Sequence, residues 1–160
     1  NIILTNKPDI INNYNSNKET PLIYHAKYNP IIVDTLLDYD FNPLMRDKEG
    51  NIFLHHLIKS NETLTLKKCL KKYPEIINMP NNLSETPIIL TTKYNIEENF
   101  FILKTFGADL DATDYYGNTI YHYICAHSMC IGILIENKKN HFGLTPSDYC
   151  KISLNYYGFQ

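Results

Sequence analysis

"GADLDATDYYGNT", residues 107–119, decides how this chain is read. Gly107 follows the apolar pattern Ile102-Leu103-x-x-Phe106, where a helix must end in a left-handed residue, a conformation that glycine adopts at little cost. Asp114-Tyr115-Tyr116-Gly117 then reads as a turn, and Thr119 as the start of the next helix. If this punctuation occurs once, the aspartates with nearby His122 and Cys125 could form an active site. If it recurs, the chain is a stack of modules and its function lies on a surface.

It recurs. Pro8-Asp9-Ile10-Ile11-Asn12, followed by Glu19-Thr20-Pro21-Leu22, returns as Pro74-Glu75-Ile76-Ile77-Asn78 followed by Glu85-Thr86-Pro87-Ile88, an offset of 66 residues. Ile52, in Gly50-Asn51-Ile52-Phe53-Leu54-His55, falls between these copies, and Thr119 and Thr145 come after them. The intervals between these positions are 32, 34, 33 and 26 residues. Thr20, Thr86, Thr119 and Thr145 stand at helix starts, three of them before proline, so their hydroxyls are expected to cap free N–H groups. Val33, Leu36 and Leu37, and again Leu66, Cys69 and Leu70, keep the spacing of a one-sided helix and predict the second helix of their units.

The period and these residues resemble ankyrin repeats, whose units carry Asp-x-x-Gly-x-Thr-Pro-Leu-His-x-Ala and, later, Leu-Leu-x-x-Gly-Ala-Asp. Asp47 to His55 and Asp114 to His122 match the first half, and Phe106-Gly107-Ala108-Asp109 the second. Lys18 and Ser84 replace the turn glycine, and Ile23 and Ile89 the histidine. The resemblance implies an all-α repeat fold, an ankyrin-repeat solenoid of helix-turn-helix units joined by β-turn or hairpin loops, as one domain over 1–160. Residues 1–14 read as the end of a preceding repeat with a helical remnant at 3–12, followed by repeats at 15–46, 47–80 and 81–113. A shortened repeat at 114–139 and a partial C-terminal one at 140–160 complete the series. Further repeats are expected upstream, since the chain opens inside what reads as a second helix.

Composition restricts the function. Fifteen Lys and Arg against 17 acids give a net charge of −2, so no global field favours nucleic acid or an anionic membrane. The apolar runs are far shorter than the ~20 residues of a membrane span. Cys69, Cys125, Cys130 and Cys150 lack the spacing of a disulfide scaffold or a zinc site and are expected to be reduced thiols. The sequons at Asn61 and Asn82 are read as chance in an Asn-rich chain.

His55 and His122 occupy the histidine slot, where the resemblance implies that the ring bonds backbone in the neighbouring loop; no metal or cofactor is expected. Cys125 beside His122 lacks an orienting third group and an oxyanion hole, so no catalytic residue is assigned. Lys67, Lys68, Lys71 and Lys72 read as a solvated outer face, with a phosphate or acidic-partner patch as the alternative. The turns between units carry large side chains that packing does not require: Leu83, Tyr115, Tyr116, His141 and Phe142. These are the candidate partner-binding residues, with Tyr24, His56 and Tyr123, one place past the histidine slot, facing the adjoining groove.

The degenerate Asn/Ile/Tyr-rich units and the phrase Phe142-Gly143-Leu144-Thr145-Pro146-Ser147-Asp148-Tyr149-Cys150 look like poxviral ankyrin-repeat proteins, orthopoxvirus host-range factors in particular. That resemblance implies a non-enzymatic interaction module for immune evasion in the host cytoplasm or nucleus. It would bind and neutralise a host innate-immune protein, interferon-induced or in NF-κB or cell-death signalling. Delivery to a cullin ubiquitin ligase would require an F-box-like segment outside this chain. The alternative is a structural ankyrin spacer or scaffold in a larger viral or cellular protein.

Overall fold

The computed structural model describes residues 8–127, 129 and 136–157. Every regular element among them is helical: α1 (Pro21–Tyr28), α2 (Ile31–Leu36), α3 (Phe53–Leu57), α4 (Thr63–Lys72), α5 (Pro87–Lys93), α6 (Glu97–Thr105), α7 (Ile120–His127) and α8 (Pro146–Tyr157), with 3-10 turns at Pro8–Asn12 and Pro74–Ile76. The rest of the helical remnant at 3–12, and most of the segment expected to hold a second helix in the shortened unit, lie outside the described residues. None of the described helices is long and apolar enough to cross a membrane.

The helices pack in chain order. α1, α3, α5, α7 and α8 each contact the next and form one row, while α2, α4 and α6 form a second. The core lies between the rows, where Phe53, Leu57, Leu66, Ile88, Phe100 and Leu103 are fully buried or nearly so. The expected second helices at Val33 and Leu66 are α2 and α4, with those side chains inside. Gly107 ends α6 at φ 88°, and the following N–H of Ala108 closes on Leu103 O, the helix stop read from the sequence.

Five turns precede the first-row helices and share one hydrogen-bond pattern. Their first residues are Asn15, Asp47, Asn81, Asp114 and Asn140. In each, the Oδ1 atom accepts the N–H groups two and four residues on, at 2.8–3.0 Å. The short polar side chain thus replaces a backbone turn, the reason such loops select Asn and Asp. The fourth residue is left-handed each time, whether Gly50, Gly117, Gly143, Lys18 or Ser84. Successive tips are joined by backbone: Asn82 N donates to Glu49 O, Tyr115 N to Leu83 O and His141 N to Tyr116 O. A Cβ on Gly117 would lie 2.7 Å from His141 Cδ2, so glycine there also permits the close approach of the next tip.

Two expectations are corrected. Of the four threonines, Thr20 alone caps its helix, accepting from Ile23 N at 3.2 Å. Thr119 donates to His122 Nδ1 and Thr145 to Asp148 Oδ2, side chains three residues on that also accept the backbone N–H of the same threonines, and the buried Thr86 hydroxyl has no partner. Cys125 and Cys150 form a disulfide, Cα to Cα 4.6 Å, because α8 packs along α7 and brings together thiols 25 residues apart. Buried Cys69 is free, its thiol pushed up to about 12 by burial. The four α4 lysines are exposed, as expected of a solvated outer face, and two of them also tie α4 to α2: Lys68 pairs with Asp34 at 2.7 Å and Lys72 donates to Leu37 O.

Candidate protein interface

His55 and His122 behave as anticipated from their slot. In each ring Nδ1 accepts a backbone N–H three residues back, from Ile52 at 3.2 Å and Thr119 at 3.1 Å. That leaves Nε2–H to donate to the next tip, to Glu85 O and Leu144 O, both at 3.2 Å. Burial pushes His55 down to about 4 and His122 below its ordinary value, so both rings are neutral at neutral pH and act as braces between units. Cys125 is held by Cys150, and both His122 nitrogens are occupied. No group of three His, Cys, Asp or Glu among the described residues is placed to hold a metal ion.

The tips bring five of the eight candidate residues together. Tyr115 is 64% exposed and Phe142 68%, with Tyr116 and Leu83 at 44% each. Tyr115 meets Tyr116 edge-on at 5.4 Å, and Tyr116 stacks on Phe142 at 6.1 Å. His141 is exposed on the same turn as Phe142. The result is a continuous aromatic ridge over the fourth and fifth tips, continued by Leu83 on the third. Its backbone is fixed by the turn bonds and tip-to-tip bonds, so these side chains are presented from a rigid base.

The other three lie off the ridge. Tyr24 is exposed on α1, packed on Tyr28 at 4.9 Å, beside a separate depression of about 410 Å³ that includes Ile10 and Tyr14. His56 is only 8% exposed but lines the groove, as its place past the histidine slot implies, with its Nε2 taken by Asp47 Oδ2 at 2.8 Å. Burial outweighs the pull of Asp47 and holds His56 below its usual value, so it is a neutral donor to the carboxylate at neutral pH. Tyr123 is half-buried and gives its hydroxyl to Asp114 Oδ2 at 2.5 Å, an arrangement that with burial raises its pKa. A buried carboxylate at the tip needs a donor, and the side chain at this place on the first-row helix is the nearest.

A polar row along the groove is missed by single-residue reading. The first and fifth tip residues are Asn15/Glu19, Asp47/Asn51, Asn81/Glu85 and Asp114/Asn118: one amide and one carboxylate, exchanged between alternate units. In every pair the amide donates to the carboxylate, at 2.8–3.3 Å. Asn81 also reaches Asn51 Oδ1 at 3.0 Å, and Asn140 reaches Asn118 Oδ1 at 2.7 Å, linking tips across units. The exchange selects the helix partner. Glu at the fifth place reaches a lysine, Glu19 to Lys27 at 2.9 Å and Glu85 to Lys93 at 2.5 Å, whereas Asp at the first place takes His56 or Tyr123. Aligning the units on Thr20, Ile52, Thr86 and Thr119 exposes this alternation in the sequence.

Compared with known proteins, the chain matches no family model and no curated protein.

Proposed function

We propose that this chain is an ankyrin-repeat binding module, of the kind found in poxviral host-range proteins, that captures and neutralises a host innate-immune protein in the host cytoplasm or nucleus. Support for the ankyrin reading comes from the same turn recurring at a period near 33 residues and from the two slot histidines bonding the next tip. The observation that carries the binding role is the ridge of Tyr115, Tyr116 and Phe142. Three contiguous aromatic rings left in water on a rigid turn lattice serve no packing purpose, while tyrosine and similar side chains supply large contact area at low entropic cost. Because the tips are already ordered, little conformational entropy is lost on docking. An interface of ordinary size, roughly 1,200–2,000 Å² in total, would engage several tips at once. A ubiquitin-ligase connection would be supplied by a segment other than this one.

The test is affinity capture of the tagged protein from interferon-treated cells, with a Tyr115→Ala/Tyr116→Ala/Phe142→Ala variant beside it. An immune-signalling protein enriched by wild type and lost with the variant, then reproduced with the purified pair, is the expected result. Identical prey with both proteins would remove the ridge from the site. No prey with this segment, but prey with longer forms, would favour the spacer role.

A further inference from the structure

Resting on the binding-module reading, we propose that the groove below the second and third tips receives a carboxylate side chain from an extended segment of the partner, seated on Lys59. The seventh residue after Thr20, Ile52 and Thr86 is Lys27, Lys59 and Lys93 in three successive units, so three lysines recur at the C-terminal ends of the first-row helices, Lys59 two residues past the end of α3. Lys27 and Lys93 are neutralised within their own units by Glu19 and Glu85. The middle unit differs because its carboxylate sits at the first tip place, as Asp47, and is taken by His56, while its fifth place is the neutral Asn51. Lys59 therefore has no carboxylate partner among the described residues. Its ammonium lies 4.3 Å from the centroid of the Tyr94 ring in the next unit, which orients it without neutralising it.

The space around it suits a few residues of an extended chain. The cavity is about 470 Å³ and open, walled by Leu83, Leu90 and Tyr94 on its apolar side and by Asn51, Asn81 and Asn82 as amide groups. Leu83 belongs both to this cavity and to the third tip, so a bound segment would continue onto the aromatic ridge. Glu49 also lines the cavity. It opposes a run of acids, so the fitting segment carries a carboxylate flanked by apolar residues.

The probe is a fluorescent peptide of alternating Glu and Leu, with its Gln-Leu counterpart, titrated against the intact chain by anisotropy while Tyr94 ring resonances are followed by NMR. The expected result is binding of the Glu peptide alone, weakened about fivefold by Lys59→Gln and about tenfold or more by Lys59→Glu, and strengthened by Glu49→Gln. Lys59 is exposed, so these variants keep the fold, and circular dichroism checks it. No binding, equal binding of the Gln peptide, or indifference to Lys59 overturns the proposal. Competition by inorganic phosphate as strong as that of the peptide would assign the site to free anions and also overturn it. The triple alanine variant at the ridge tests the capture role separately, because it leaves Lys59 and Tyr94 untouched.

Discussion

Replacing His55 by isoleucine, the residue that fills the same slot as Ile23 and Ile89, should remove a specific acid weakness. The ring is 1% exposed, and burial holds its pKa at about 4 against an ordinary 6.5, with the bonds to Glu85 and Ile52 backbone pulling the other way. As pH falls through 6.5 the unfolded chain takes up a proton at this site and the folded chain does not. Stability from His55 is therefore complete above 6.5, falls between 6.5 and about 4, and levels off below. Over about two and a half pH units at about 1.36 kcal/mol each, the loss is about 3 kcal/mol. At pH 7 the isoleucine variant should instead be weaker by about 1–3 kcal/mol, because the buried Ile52 N–H loses its acceptor. Urea unfolding of both proteins from pH 7.5 to 4 measures the difference directly. The wild-type advantage should shrink toward zero or reverse on acidification, while Asp47 and Glu19, whose pKa values lie below the ordinary carboxylate range, lose their contributions only at lower pH. A gap between the two proteins that stays constant with pH would refute the reasoning, since the ring would then titrate alike in both states.

Gly117 and Gly143 separate strain from crowding: both are left-handed, but only Gly117 faces the next tip, so Gly117→Ala should cost about 2–3 kcal/mol and Gly143→Ala about 1 kcal/mol in thermal unfolding. Equal losses would show that the tip-to-tip approach imposes no constraint. Reducing Cys125–Cys150, or changing Cys150 to serine, releases a 25-residue loop and should lower stability by about 3 kcal/mol in denaturant melts with and without dithiothreitol. The Asn99 side chain donates to Ile58 O at 2.6 Å and Ser60 O at 3.0 Å, bracing the end of α3 from α6, so Asn99→Ala should cost about 2 kcal/mol. Native-state hydrogen exchange should then show earlier opening around residues 57–60, and unchanged exchange there would sink this role.

The sequence by itself determined where each unit begins and how its turn is made. Asn and Asp at the tips, left-handed glycines and the apolar spacing of α2 and α4 are local devices, and each acts within a few residues of where it is written. Gly107, His55 and His122 could be read for the same reason: their role follows from a fixed place in a recurring unit. The tertiary structure decided which charges are satisfied. Whether a lysine is neutralised depends on a carboxylate eight residues back and on which of two tip places holds it, and that geometry left Lys59 alone while burying His56. It likewise brought Cys125 to Cys150, and it collected Tyr115, Tyr116 and Phe142 into one ridge by bonding successive tips. The disulfide and the ridge depend on contacts between units, and a spacing rule that operates within one unit carries no information about them.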